Sequence, residues 1–212
     1  MNYDFIKGKI NTLDLKILKS FNNLPADTNE KIKGFYFRFR RFSKFYLTNE
    51  VILNNKDTNF FQPKSSNRYT GGKIRKFDKL ESSILNKIQS IVKKNFLIYL
   101  EKEKKYEFGI HQLRIKCGKD HPGYPVPEGW HKDGFEKIII LNVDSKNISG
   151  GTTRLKSKIN SDKDDFAFML NKKEFILVND KKFFHYTDPI NIFNEKASAY
   201  RDTFVITIKS VK

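Results

Sequence analysis

His131, Asp133 and His185 are the residues of this chain whose types and order suit metal chemistry. In an extended segment residues i and i+2 project from one face, so His131 and Asp133 can meet one ion while Lys132 points away. A second imidazole, His185, completes a facial set of two histidines and one carboxylate. That is the donor set of an open Fe(II) site, whose opposite face is left for substrate, cosubstrate and O2. Arg201 opens the last apolar strand, and its planar fork of donors suits one end of a dicarboxylate. Each piece alone has an ordinary alternative. A His-x-Asp tripeptide arises by chance beside many surface turns, and His185, within Phe183-Phe184-His185-Tyr186, reads equally well as a half-buried histidine in an aromatic turn.

Context decides between them. The run Pro127-Glu128-Gly129-Trp130-His131-Lys132-Asp133-Gly134, the apolar stretch Ile138-Ile139-Ile140-Leu141-Asn142-Val143 and the Gly150-Gly151-Thr152 turn follow one another in that order. Together they resemble the bacterial 2-oxoglutarate and Fe(II) dependent dioxygenases that hydroxylate free amino acids, of the L-isoleucine dioxygenase type. The resemblance extends more loosely to Arg38, Arg40, Gln62, Asn67, the strand Gln112-Leu113-Arg114-Ile115, and Tyr200-Arg201-Asp202.

This resemblance implies that His131, Asp133 and His185 bind Fe(II), that 2-oxoglutarate chelates it, and that one position remains for O2. Arg201 takes the family's place for binding the distal carboxylate of 2-oxoglutarate, which, buried and unpaired, would cost several kcal/mol. Thr203 shares its strand face. The expected products from the cosubstrate are succinate and CO2. The resembling halogenases lack the carboxylate ligand, so Asp133 favours hydroxylation. The implied fold is a double-stranded β-helix, a cupin-like jelly roll, mainly β with flanking helices.

A free L-amino acid needs partners for both charges. Glu128 is placed for the ammonium, and Arg114 with Gln112 beside it for the carboxylate; the alternative is that Glu128 braces a turn and Arg114 pairs with an acid. Arg38, Arg40 and Arg75 are further possibilities. Asp188 is expected to orient the His185 ring, as metal-bound histidines require. His111 and His121 read as structural.

At 212 residues the chain suits one catalytic domain, with residues 1–105 as an N-terminal part and 106–212 as the metal-binding β core. Its formal charge of +17 comes from 41 basic residues, only 8 of them Arg. Lysines run from Lys7 to Lys212 with acids interleaved, whereas nucleic-acid binding concentrates charge on one face, so that role is disfavoured. The rival stripe is residues 35–42, alternating Phe or Tyr with Arg, which reads first as an edge strand whose arginines pair with acids or face the site. No apolar run approaches the roughly 20 residues that cross a bilayer, and Met1-Asn2-Tyr3-Asp4-Phe5 lacks the order of a signal peptide, so a cytoplasmic location is expected. The single Cys117 excludes an internal disulfide.

Apolar spacing predicts short helices within 4–22 and a scaffold helix from Ser82 to Lys102. Residues 55–73 read as a loop. Strands are predicted at 108–117, 136–144, 151–156, 165–170, 174–179 and 203–211. Pro122, Pro125 and Pro127 stiffen the segment entering the metal motif, making 121–130 a pocket wall or lid.

Overall fold

The computed structural model describes residues 3–28, 35–48, 51–65, 71–195 and 197–211. Asn67 lies outside them. The elements in chain order are β1 (Phe5–Lys9), α1 (Leu15–Ser20), β2 (Arg38–Thr48), β3 (Val51–Asn55), β4 (Asn59–Phe61), β5 (Ile74–Lys76) and α2 (Ser82–Phe96). There follow β6 (Lys105–Cys117), β7 (Lys137–Lys146), β8 (Ile148–Gly150), β9 (Thr153–Lys156) and β10 (Phe166–Phe168). The last four are β11 (Glu174–Asn179), β12 (Phe184–Thr187), β13 (Ile190–Ile192) and β14 (Ala199–Val211).

Seven strands form one antiparallel sheet in the order β1-β11-β7-β14-β6-β2-β3. The shorter strands β10-β9-β12 and the pair β13-β8 form the smaller sheets of the jelly roll. Strand alternation gives the large sheet two different faces. One packs Phe108, Ile110, Ile139, Leu141, Phe204 and Ile206 against Ile84, Ile88, Val92 and Phe96 of α2 in the main core. Burying each such Ile or Phe contributes roughly 1.5–3 kcal/mol. The opposite face carries Leu113, Ile115, Arg201, Thr203 and Val205 and lines a cavity.

The N-terminal segment departs from its helical expectation. Residues 5–9 pair with β11 as an edge strand, because an unpaired β11 would leave a row of buried backbone groups without partners. Only Leu15–Ser20 is α-helical, started by Asp14, whose Oδ1 accepts the Lys16 N–H at 2.7 Å. The scaffold helix stops at Phe96 rather than Lys102. Leu97–Tyr99 tightens into a 3-10 turn that turns Leu97, Tyr99 and Leu100 toward the core. The aromatic-basic strand is not an edge: β2 lies between β6 and β3, so strands of the first half complete the sheet of the second. Strands β8, β12 and β13 and the β4–β5 hairpin leave no pattern in the sequence, being three or four residues long, too short for alternation to stand out. Among the described residues no helix is long and apolar enough to cross a membrane.

Two details place the site. On β14 the register against β7 shifts between Asp202 and Thr203, a bulge that re-aims the strand just after Arg201. Gly150, at φ 80, turns the chain where any Cβ would lie 2.2 Å from the Pro189 carbonyl oxygen, so only glycine fits.

Candidate active site

His131 is not part of a regular strand. It forms a single bridge with His185 of β12, each residue donating its N–H to the other's carbonyl, at 3.2 and 2.9 Å. This pair brings the two rings to 4.2 Å between centroids. Asp133 turns in from the following loop. Its Oδ1 lies 3.3 Å from His131 Nε2 and its Oδ2 3.7 Å from His185 Nε2. One ligand atom from each of the three residues lies within 4.8 Å of the others, and all three side chains are buried. The His131 Nδ1 is 3.0 Å from the Gly129 carbonyl oxygen; a donor there leaves Nε2 with the lone pair a metal needs.

Electrostatics agree with a cation site. Burial pulls the His131 imidazole down, but the hydrogen bond and charge of Asp133, with Glu128 nearby, outweigh it and carry it to about 9. Burial pushes the Asp133 carboxyl up, yet the same hydrogen bond and the neighbouring imidazoles hold it below the usual carboxylate range. Two buried imidazoles and a carboxylate on one side of a cavity fit Fe(II).

Arg201 stands in the wall of this cavity with 4% of its surface exposed, and its Nη2 has no hydrogen-bond partner. Burial alone pulls its guanidinium down to about 10. A buried, incompletely paired cation beside a metal triad matches a carboxylate ligand. Thr203, two residues on, faces the same cavity, as does Glu128, whose Oε1 is 3.8 Å from His131 Nε2.

Gln112 and Arg114 do not reach it. They point to the helix side of the large sheet, where Gln112 donates to Ser20 Oγ at 2.7 Å. Arg114 clamps both oxygens of Asp202, each at 2.7 Å. The reason is parity. Leu113 and Ile115 pair with Thr203 and Arg201 and share their face, which leaves residues 112 and 114 on the other. His111, on the cavity face, belongs to the site instead. Its Nδ1 accepts from Arg40 Nη2 at 2.7 Å, and burial, then the Arg40 charge, pushes the ring well below its ordinary value, so it is neutral. His121 lies outside the cavity, stacked on Phe35.

Arg38 and Arg40, the cationic half of the stripe, are buried in the cavity wall rather than displayed on the surface. Arg38 donates to the Pro125 carbonyl at 2.7 Å and thereby fastens the proline-rich wall. Gln62 comes from the region read as a loop, and Arg75 from just beyond it. Arg75 donates to Gln62 Oε1 at 2.7 Å, and Gln62 donates to Asp133 Oδ1 at 2.6 Å. Asp188 is not the partner of His185: it takes the Arg154 fork at 2.8–3.0 Å. The carboxylate beside His185 is Asp180, 3.4 Å from Nε2. Nothing in the sequence singles out Asp180, a lone carboxylate just past a strand.

Known proteins resemble this chain in sequence and in fold. L-isoleucine-4-hydroxylase of Bacillus thuringiensis is 28% identical over 176 residues, covering 80% of this chain and 72% of that protein. Among solved structures, a bsmA homologue from Methylobium petroleophilum matches with a TM-score of 0.78 at 23% identity, covering 92% of this chain and 80% of the other. IDO from Bacillus thuringiensis matches with a TM-score of 0.74 at 20% identity, covering 93% and 82%. The family model of the 2OG-Fe dioxygenases matches residues 18–207, a span that contains the three donors and Arg201, and this chain belongs to that family.

Proposed function

We propose that this dioxygenase hydroxylates a free, aliphatic L-amino acid and converts 2-oxoglutarate to succinate and CO2. One observation carries the reading: the buried His131, Asp133 and His185 triad opens into a cavity whose wall holds Arg201 with an unpartnered Nη2. Fe(II) held by the triad, with 2-oxoglutarate and O2, supplies the oxidising power to replace a carbon–hydrogen bond by a hydroxyl.

The protein's own part is binding, orientation and exclusion of water. Arg201 receives the distal carboxylate of 2-oxoglutarate, and the Thr203 hydroxyl adds a donor on the same face. Glu128 takes the substrate ammonium. The arginines of the wall, Arg38, Arg40 and Arg75, replace Arg114 as the source of a carboxylate partner, with Arg75 joined to Asp133 through Gln62. Leu113, Ile115, Val126 and Val205 offer an apolar surface to an aliphatic side chain, which loses water on entry. Support also comes from a relative whose name places its activity on L-isoleucine.

Anaerobic addition of Fe(II) and then 2-oxoglutarate tests the reading. A visible metal-to-ligand band is expected only when both are present, followed by succinate release on admitting air with the matching member of an amino-acid panel. A protein that gives the band but releases no succinate above background with any amino acid has a different substrate.

A further inference from the structure

The loop that carries Asp133 has few internal hydrogen bonds, yet its direction decides whether the three donors converge. One buried carboxylate holds it. Asp180, in the turn after β11, is 1% exposed and accepts three consecutive backbone N–H groups: Asp133 at 3.0 Å on Oδ1, and Gly134 at 2.7 Å and Phe135 at 2.9 Å on Oδ2. Its Oδ1 also lies 3.4 Å from His185 Nε2. The turn is itself fixed at both ends. The Asp180 N–H donates to the Glu136 carbonyl at 3.2 Å, and Lys182 and Phe183 donate to the Asn179 carbonyl at 3.1 Å. Gly134, at φ 85, gives the loop the bend that aims its amides at one point.

We infer that Asp180 is a positioning residue of the metal centre, which presets the Asp133 loop against His185 before any ion arrives. This inference rests on reading the triad as a metal site. Asp180 does not line the cavity, so it touches neither substrate nor cosubstrate. The donors that converge are His131, Asp133 and His185, and Asp180 is not among them. Its charge-assisted bonds to three consecutive amides fix the direction of the loop and so the place of Asp133 among the three donors.

Asp180→Asn keeps size and shape but turns an N–H donor toward loop amides that also donate. Metal affinity measured by titrating the anaerobic protein with Co(II), read in its visible absorption, is expected to fall about 10- to 100-fold, the range for partners behind metal ligands. The KM for 2-oxoglutarate at saturating Fe(II) is expected to stay at the wild-type value, a split that general loosening of the fold would not produce. Asp180→Glu, which keeps the charge and displaces it by one methylene, should show the same loss with milder effect on stability. It is the deciding variant if Asp180→Asn does not fold. Wild-type Co(II) affinity in a folded variant would overturn the inference. Failure of the wild-type protein itself to bind Co(II) would instead overturn the metal site.

Discussion

The Gln62 side chain spans Asp133 and Arg75: its Nε2 donates to Asp133 Oδ1 at 2.6 Å while its Oε1 accepts from Arg75 Nη2 at 2.7 Å. The second bond fixes which way the amide faces, since only the oxygen can take the guanidinium donor. The metal-binding carboxylate is thus oriented by a residue far from it in sequence. Gln62→Leu should weaken Fe(II) binding about 10- to 100-fold, seen as a higher Fe(II) requirement for succinate release. Asp133→Ala should abolish release altogether. Unchanged Fe(II) dependence in the Gln62 variant would show that Asp133 is held by its loop alone.

Arg201 has opposite effects on stability and on binding. Its guanidinium is drawn by burial from its ordinary value down to about 10, so holding it charged in the fold costs about 3 kcal/mol at neutral pH. For a base lowered by folding, that penalty is present below about pH 10 and fades as the pH rises from there toward the unfolded value. Arg201→Met should therefore raise the unfolding temperature of the ligand-free protein by several degrees at pH 7, at about 2–4 °C per kcal/mol. The same variant should lose at least about 2 kcal/mol of 2-oxoglutarate binding, roughly 30-fold or more in KM. A destabilised variant with normal KM would make Arg201 a structural residue.

The ligand triad is readable because His131 and Asp133 stand two positions apart and a family pattern surrounds them. The Arg114 error shows what was not readable. Alternation correctly put Gln112 and Arg114 on one face and His111 on the other, but which face met the site depends on β6 pairing with β14, where Ile115 lies opposite Arg201. Register between distant strands leaves no local trace in composition. Polarity misled as well, since Arg114 and Asp202 are both buried and polar on the helix side, satisfied by each other. Gln62 and Arg75 are named in the sequence reading, but their chain of bonds to Asp133 is not legible there, for a different reason. They border a stretch rich in Asn, Ser and Gly, whose turn chemistry outweighs the signal of the three-residue strands β4 and β5. The early strand β1 was missed because Phe5 and Ile6 fit a helix as well as a strand until a partner edge exists.

The Arg114–Asp202 clamp gives a prediction that separates fold from site. Its guanidinium donates at 2.7 Å to each oxygen of a carboxylate that is 1% exposed, and Asn22 takes a further donor at 2.8 Å. Breaking a buried pair leaves an uncompensated charge, so Arg114→Ala should cost about 3–5 kcal/mol of stability. Metal affinity and the KM for amino acid should hold in the folded fraction at low temperature. A raised amino-acid KM with an unchanged denaturation curve would return Arg114 to the substrate site.

Glu128 offers the sharpest test of what the substrate is. It sits beside the metal ligands, Oε1 3.8 Å from His131 Nε2, on the wall that also carries the arginines. A substrate ammonium placed there gains a charge-assisted bond that a neutral amide offers more weakly, and such bonds contribute about 1.5–3 kcal/mol. Glu128→Gln should therefore raise the amino-acid KM by roughly 10- to 150-fold, while amino-acid-independent consumption of 2-oxoglutarate continues at the wild-type rate. Replacing the substrate's α-amine by hydrogen should lower the activity of the wild-type enzyme and leave the variant little changed, because the two deletions remove the same contact. If the deaminated substrate loses activity equally in both proteins, Glu128 does not hold the ammonium.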